Sequence, residues 1–390
     1  MKNLIDYLNP VSIEKPATLH ISEQSQLSRN LTVHTESKPV VSLKGFRVIM
    51  LGMPDGRMAG GESIPSSADA IRRELYSLAR IPGKLKVADL GNMKSGKTFN
   101  DTLAGLIHIL SCLGEPGLSL ILLGGSPELI GAVDKHYNAI GRHWSLTSVD
   151  SHIDFNPEDR SPGPHNCLAP LFQSTRSRLS HFVNIGYQTY LNDPQVITRL
   201  SRKNWDLIRL GDMRQAIHLA EPLLRDSDAV LFDIGAIREA DAPGACFPSP
   251  NGLYAEEACL LARYAGVSDR LRLFFLPEIH PSGTRSGQAI ALAAQIVWFF
   301  LESFAQKQPE NPADSTVEGG RFTRYHINVG NLEEEMIFVK SNFTDRWWME
   351  LTSPAGSIKH ISCSYEDYLR ANDNEVPDRW LKASSRLKQL

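Results

Sequence analysis

The sequence predicts a three-layer α/β/α domain with a central, mostly parallel sheet, followed by a small C-terminal α+β appendage. Two observations lead to this fold class. Eight short apolar runs between residues 46 and 278 are continuous rather than alternating, which is typical of strands buried on both faces of a parallel sheet. Longer amphipathic stretches separate these runs, and repeated strand–helix alternation is typical of a sheet with helices on both sides.

The predicted strands and helices alternate along the chain. The strands correspond to the runs FRVIMLG, LKVADLG, LSLILLGG, WSLTSVD, HFVNIGY, WDLIRLG, AVLFDIG and LRLFFLPE. The amphipathic stretches predict helices over residues 68–79, 100–113, 196–203, 254–264 and 287–304. The longest apolar stretch, residues 289–301, has 13 residues, whereas a helix that spans a bilayer needs about 20. We therefore expect it to form a buried core helix.

The composition divides the chain into four parts. Residues 1–40 are polar and predict an N-terminal arm with one short helix near residues 4–8. Residues 41–305 form the α/β domain, and residues 306–320, rich in Pro, Gly and acidic side chains, form a linker. Residues 321–390 predict the strand–helix appendage. Because so small a unit buries little surface by itself, we expect it to extend the main sheet or to cover one of its faces.

Charge and cysteine usage exclude several classes of protein. The net charge is −3 and the pI is about 6.5, so no overall basic surface exists to bind nucleic acid or an anionic membrane. The segment MKNLIDYLNP has no cationic stretch followed by an apolar one, which argues against secretion. The five cysteines are scattered without a Cys-x-x-Cys pair, which argues against a disulfide framework and a thiolate zinc site. A cytoplasmic protein is predicted.

Acidic and imidazole side chains follow several of the predicted strands. In an open parallel sheet, ligands bind beyond the carboxyl ends of the strands. Asp150, His152 and Asp154 occupy alternate positions after one strand, and Asp233 and Glu278 follow two others. On extended backbone, alternate side chains project to the same side. Carboxylates with one imidazole suit Mn, Fe or Zn, so these residues predict a divalent-metal site.

A second interpretation of the same motif needs no metal. Asp150 and Asp154 could cap helices or solvate a loop, and His152 could bond a backbone carbonyl, since short motifs match by chance.

Five segments, in order, resemble the ureohydrolase superfamily of arginases, agmatinases and formimidoylglutamases over residues 48–304. They are GGSPEL (124–129), DSHID (150–154), FDIGAIREADAPG (232–244), SPNGLYAEEA (249–258) and PEIHP (277–281). The resemblance implies an arginase-like fold and metal-dependent hydrolysis of a linear amidine or guanidino compound.

The resemblance also implies a metal site with two ligands missing. Family enzymes hold two Mn ions with two His and four Asp side chains, and the matching positions here are Asp150, His152, Asp154 and Asp233. Pro127 stands in place of a family His, and Gly235 in place of a family Asp. Each ion therefore loses one protein ligand. Four ligands still suffice for one ion, so the expected cofactor is Mn, either mononuclear or absent.

Two residues are expected to take part in catalysis. Glu278 matches the family Glu that faces the guanidinium, and a carboxylate suits bidentate recognition of an amidinium. His165 lies near the position of the family's proton-shuttling His, a role that an unperturbed pKa near 6.5 suits. The alternatives are an ion pair between Glu278 and an arginine such as Arg285, and a surface-loop role for His165. His280 replaces a family Asn and could serve as a substitute metal ligand.

Two functions remain open from the sequence. The first is hydrolysis of a linear amidine or guanidino C–N bond, with formimidoylglutamate as the best single substrate. The second is a catalytically silent homologue that uses the old pocket or its oligomeric surface for binding or regulation. An altered hydrolase with one metal ion or none lies between them. The expected partners are a small amidine or guanidino ligand and further copies of the chain, as trimers or hexamers, with no nucleic acid and no membrane.

Overall fold

The computed structural model describes residues 2–12, 21–56, 66–113, 117–163, 165–245, 247–277, 279, 286–313, 320–330, 332 and 335–388. The strands are β1 (Leu8–Asn9), β2 (Leu31–Val33), β3 (Val48–Gly52), β4 (Val87–Met93), β5 (Ser119–Leu123), β6 (Trp144–Val149), β7 (Leu179–Tyr187), β8 (Asp206–Arg209), β9 (Ala229–Phe232), β10 (Leu273–Leu276), β11 (Phe322–Ile327), β12 (Met336–Ser341), β13 (Trp347–Thr352) and β14 (Ile358–Cys363). The helices are α1 (Lys2–Ile5), α2 (Ser66–Ser77), α3 (Phe99–Cys112), α4 (Ile130–Ala139), α5 (Ala169–Phe172), α6 (Pro194–Ser201), α7 (Leu210–Gln215), α8 (Ala220–Arg225), α9 (Ala255–Gly266), α10 (Ser286–Gln306), α11 (Tyr365–Asn372) and α12 (Asp378–Leu387).

The main sheet confirms the predicted fold class. It has ten strands in the order β1-β4-β3-β5-β10-β9-β6-β7-β8, with β2 also paired to β4. All pairs are parallel except that of β1 with β4. The eight apolar runs of the sequence became β3 to β10, and the five predicted helices are α2, α3, α6, α9 and α10, each shifted by a few residues.

Alternate residues of the central strands enter two different cores. In β5, Ile121 and Leu123 pack into the core that includes α2, α9 and α10, whereas Leu120 and Leu122 pack into the core that includes α3 and α4. Both faces of each strand are therefore buried, which is why the runs are continuously apolar.

The helix α10 is the longest in the described part of the chain. Its segment Gly287–Gln306 has a mean hydropathy of 1.4, which by length and composition alone would allow it to cross a membrane. Most of this segment is buried inside the fold, where α10 packs against α2 and α9. It is a core helix, as the sequence predicted.

The N-terminal arm contributes strands that its polar sequence did not predict. β1 forms an antiparallel pair with β4, and β2 forms a parallel pair with β4. Both are short, at two and three residues, so hydrophobic periodicity had no room to reveal them.

The C-terminal appendage forms its own four-stranded antiparallel sheet, in the order β11-β12-β13-β14, and does not extend the main sheet. It has a small core of its own that includes Phe338 and Met349. It attaches near the start of β9. The carboxylate of Asp226 accepts hydrogen bonds from the backbone N–H and the hydroxyl of Ser362, and Arg225 donates to the Trp347 carbonyl and stacks on Trp348.

Candidate metal centre and active site

The candidate site lies where the central strands of the main sheet end. β5, β10, β9 and β6 are neighbours in that order and run parallel. Their carboxyl ends therefore meet at one edge of the sheet, where ligands bind in open parallel sheets. We call this the carboxyl edge, and the opposite side, where the strands begin, the amino edge.

The segment after β6 holds three predicted metal ligands, in a bend rather than on the extended backbone that the sequence argument assumed. The cause is local: Oδ1 of the buried Asp150 accepts a hydrogen bond from the His152 backbone N–H at 2.9 Å, as Asp side chains commonly do in turns. Nδ1 of His152 lies 3.0 Å from Ser151 Oγ, not against a backbone carbonyl. Burial lowers the pKa of the His152 ring, which favours the neutral form that binds metals.

Asp154, the third residue of the motif, is buried beside an imidazole and a thiol. Its Oδ1 lies 3.8 Å from Nδ1 of His165, and its Oδ2 lies 3.7 Å from Sγ of the buried Cys167. The His165 side chain is 56% exposed and its ring packs on Phe247 at a centroid distance of 4.1 Å. The interaction with Asp154 raises the pKa of His165, against a smaller opposing effect of burial.

Asp233 follows β9 and begins a short 3-10 turn. Its Oδ1 accepts a hydrogen bond from the Gly235 backbone N–H at 2.6 Å. Its own N–H donates to the carbonyl of Val149 at the end of β6, 3.0 Å away, which joins the two strand ends. Burial raises the pKa of Asp233 to about 6, and the charge of Asp154 adds to this effect.

The carboxylates at this edge repel one another. Burial raises the pKa of Asp150 well above its usual value, and the charges of Asp154 and Asp233 raise it further. Hydrogen bonds from the backbone at Ser151 and His152 oppose the shift only in part. Buried anions of the same sign are unstable together unless a cation or a proton joins them.

The sequence argument missed Glu128, which follows β5 at the same edge. The chain reaches it through a turn at Gly124 and Gly125, whose φ angles are +75° and +80°. A Cβ at Gly124 would lie 2.7 Å from Ser67 Oγ, and one at Gly125 would lie 2.7 Å from Met53 Cβ, so the turn needs both glycines. The Glu128 side chain is 3% exposed. The sequence did contain a signal for this residue, because Glu128 directly follows Pro127, the position at which the family has a His ligand.

Neither carboxylate oxygen of Glu128 has a hydrogen-bond partner among the described residues. Burial raises the pKa of this carboxyl, its own backbone N–H and the nearby Ser126 hydroxyl lower it, and the charge of Asp154 raises it. Ser126 Oγ itself makes no hydrogen bond of acceptable geometry in this part of the chain.

Four carboxylates converge on the Cys167 thiol. Burial raises the pKa of this thiol well above its usual value, and four charges raise it further, those of Asp154, Glu128, Asp150 and Asp233 in that order. All four side chains therefore lie within electrostatic range of this buried thiol. We call Glu128, Asp150, Asp154 and Asp233 the carboxylate cluster.

The donors of the cluster suit one hard divalent cation. Carboxylate oxygens are preferred by Mn and Mg, and two of the oxygens, those of Glu128, lack any other described partner. Within the described ranges, no three His, Cys, Asp or Glu side chains already stand at coordination distances. Binding an ion therefore requires the carboxylates to rearrange around it.

Three residues of the sequence argument lie outside the described residues. They are Glu278, His280 and Arg285. The strand that precedes them, β10, is described and lies between β5 and β9, beside the carboxylate cluster. The two positions that lack a family ligand are described: Pro127 is buried and starts a 3-10 turn, and Gly235 has no left-handed φ.

Several known proteins resemble this chain. A family model described as arginase family matches residues 46–302. The formimidoylglutamase of Lysinibacillus sphaericus (strain C3-41) is 23% identical over 279 residues, covering 67% of this chain and 85% of that protein. The solved structure of Trypanosoma cruzi formiminoglutamase with Mn²⁺ has a TM-score of 0.61 at 18% identity, covering 69% of this chain and 97% of that one. Bacillus subtilis formimidoylglutamase has a TM-score of 0.63 at 15% identity, covering 76% and 97%.

Proposed function

This chain belongs to the arginase family, and we propose that it hydrolyses the C–N bond of a linear amidine with the help of a divalent metal ion. The observation that carries this proposal is the carboxylate cluster at the carboxyl edge, with the imidazole of His165 beside it. Formimidoylglutamate is the proposed substrate, because several of the similar proteins are formimidoylglutamases.

The proposed cofactor is a single Mn ion held by side chains of the cluster, with His152 as a further nitrogen donor. One ion rather than two is proposed because Pro127 and Gly235 lack the side-chain donors of the family positions. The bound ion supplies positive charge and Lewis acidity, which brings the pKa of water toward about 7.

His165 is the proposed proton donor. Asp154 faces Nδ1 of His165, which orients the ring and leaves Nε2 for the substrate. In the reaction, water adds at the amidine carbon, the bond from this carbon to the glutamate nitrogen breaks, and that nitrogen takes a proton from Nε2. Formamide and glutamate are the products. Phe247 packs on the ring at a centroid distance of 4.1 Å and helps to fix its orientation.

Glu278 is the proposed substrate anchor. In the sequence it comes two residues after the end of β10, and β10 lies between β5 and β9 in the sheet. A carboxylate in this position would bind the amidinium through two charge-assisted hydrogen bonds.

A second function, a catalytically silent binding or regulatory protein, is favoured by one observation. Pro127 and Gly235 each remove a family ligand, and Pro127 is buried within a turn, where no donor replaces it at that position. Under this alternative the pocket binds an amidine without hydrolysing it.

We further propose that the protein works in the cytoplasm as a trimer or hexamer. Light scattering after size-exclusion chromatography measures the assembly directly, and a monomer at micromolar concentration would contradict this part of the proposal.

The test uses the whole chain purified without chelators. Metal content is measured by mass spectrometry, and formamide release from formimidoylglutamate is compared with urea release from agmatine and arginine. We expect Mn-dependent formamide release. Fully Mn-loaded, folded protein that binds formimidoylglutamate without hydrolysing it would establish the silent homologue instead.

A further inference from the structure

The Glu128 carboxylate is costly to bury in the surroundings that the described residues provide. It is 3% exposed, and both of its oxygens lack hydrogen-bond partners among the described residues. Burying a carboxylate without partners costs several kcal/mol in principle. The start of α4 offers favourable backbone dipoles nearby, but no described residue donates a hydrogen bond to either oxygen. A bound cation would supply the missing partner.

Hydrogen bonds to two neighbouring segments hold the turn that carries Glu128, so the buried position of Glu128 is fixed by the fold. Ser126 N–H donates to the Asp55 carbonyl at 3.0 Å, and Gly124 N–H donates to the Leu276 carbonyl of β10 at 2.9 Å. The two left-handed glycines fix the direction of the chain between these bonds. The turn is therefore tied to both neighbouring strands, β3 through Asp55 and β10 through Leu276.

The Glu128 carboxylate lies within electrostatic range of Asp154 and of the Cys167 thiol. The charge of Asp154 raises the pKa of Glu128, the charge of Glu128 raises the pKa of the Cys167 thiol, and that thiol lies 3.7 Å from Oδ2 of Asp154. Glu128 is also one residue away from Pro127, the position at which the resemblance places a missing imidazole ligand. A carboxylate side chain is long enough to replace that ligand from the adjacent position.

We propose that Glu128 is a metal ligand that this chain uses in place of the imidazole missing at Pro127. One ion then has four carboxylates to choose from, Glu128, Asp150, Asp154 and Asp233, with His152 as a further nitrogen donor. A set dominated by carboxylate oxygens suits Mn or Mg. The inference rests on the proposed function in one respect only, namely that the cluster binds a divalent ion.

The experiment is a calorimetric titration of MnCl₂ into three metal-free proteins: the natural chain, Glu128→Gln and Glu310→Gln. The control residue Glu310 is also a buried Glu, but it lies near the appendage, where it accepts a hydrogen bond from Ser341 Oγ and faces Arg346. We expect one Mn per chain for the natural protein and for Glu310→Gln. Glu128→Gln should bind Mn at least about 10-fold more weakly, because losing even a group that only supports a metal ligand typically costs about 10-fold to 100-fold in affinity.

Two further measurements make the outcome independent of folding defects and of catalysis. Circular dichroism and thermal unfolding establish that each variant is folded. Anomalous diffraction from a Mn-soaked crystal of the natural protein should place a Glu128 oxygen about 2.0–2.2 Å from the ion, as expected for an Mn–carboxylate bond.

Each outcome decides the matter. Natural affinity and stoichiometry in folded Glu128→Gln, or an ion without Glu128 among its ligands, would overturn the inference while leaving the hydrolase proposal intact. Weakened binding in Glu128→Gln without amidine hydrolysis by the Mn-loaded natural protein would support the inference and refute the hydrolase. A natural protein that binds no Mn would overturn both.

Discussion

The two edges of the main sheet treat buried carboxylates in opposite ways. At the amino edge, Asp206, Asp226 and Asp228 are each joined to cationic side chains. Asp206 lies 2.8 Å from both His181 Nε2 and Lys382 Nζ. At the carboxyl edge, the ion pair that the described residues make with the carboxylate cluster is that of Asp154 with the titratable His165.

The electrostatic consequences differ in sign. Burial alone would raise the pKa of Asp206, but the hydrogen bond and charge of His181, with Lys382 and Arg379, hold it well below its usual value. Asp150 and Asp233 have raised pKa values instead. At the amino edge, side chains of the protein itself therefore neutralise the buried carboxylates. At the carboxyl edge, we propose that a bound metal ion does so. Changes at the two edges should separate activity from stability.

The largest expected effect is on catalysis at the carboxyl edge. Replacing His165→Asn removes the proposed proton donor, and loss of a general acid typically lowers the rate about 100-fold to 10,000-fold. Because the side chain is half exposed, the free energy of unfolding should stay within about 0.5 kcal/mol. Formamide release under Mn saturation and chemical denaturation measure the two quantities. A fully active variant would remove His165 from the mechanism.

The next effect is on stability at the amino edge. Replacing Asp206→Ala leaves His181 and Arg386, whose side chains are 13% and 11% exposed, without their carboxylate, and breaking a buried pair costs about 3–5 kcal/mol. The activity of the folded fraction should be unchanged.

The control for that change is Asp212→Ala, which removes the exposed ion pair with Arg209 and should cost less than about 1 kcal/mol. Equal losses of unfolding free energy in Asp206→Ala and Asp212→Ala would contradict the contrast between the edges.

A smaller change is expected for Asp150→Asn, namely a gain in stability rather than the loss expected for Asp206→Ala. In metal-free protein this change removes a repelling charge and keeps Oδ1 as an acceptor for the His152 N–H, so stability should rise. The stabilisation by added Mn should disappear.

The matched change at the amino edge is Asp228→Asn, which weakens contacts with Arg270 and Arg142 and should lower stability. Denaturant titrations with and without MnCl₂ compare the two, and the same sign for both would refute the comparison.

The last effect, which is spread over a range of pH, concerns Lys307, a cation near the amino edge that burial disfavours. Burial, with Arg47 and Arg272, lowers the pKa of Lys307 from 10.5 to about 8, although Asp269 opposes the shift. Between these two pH values, 8 and 10.5, the unfolded chain binds more protons at this site than the folded one, so stability should rise with pH. The slope is at most about 1.4 kcal/mol per pH unit.

Lys307→Met, which replaces the ammonium over the Phe304 ring by an uncharged thioether side chain, should lack this slope. Denaturation of both proteins at several pH values isolates the difference, and parallel pH dependences would show that Lys307 does not titrate in this range.

The sequence by itself determined the fold class, the strands β3 to β10, and the meeting of the Asp150–Asp154 segment with Asp233 at one edge. The physical reason is that burial on both faces leaves a continuous apolar run in the chain, and that parallel strands bring their carboxyl ends together. The resemblance to the arginase family rested on motifs equally local in the chain.

Only the tertiary structure decided which buried charges have partners. The partners of Asp206 include Lys382, 176 residues further along, and no periodicity within either segment encodes that pairing. The same holds for Glu128. Its oxygens have no hydrogen-bond partner among the described residues, and its charge acts on Cys167 beside Asp154. Both features depend on the arrangement of three strand ends in space. The charge state and ligand capacity of a buried group depend on everything around it in space, and most of that comes from distant parts of the chain.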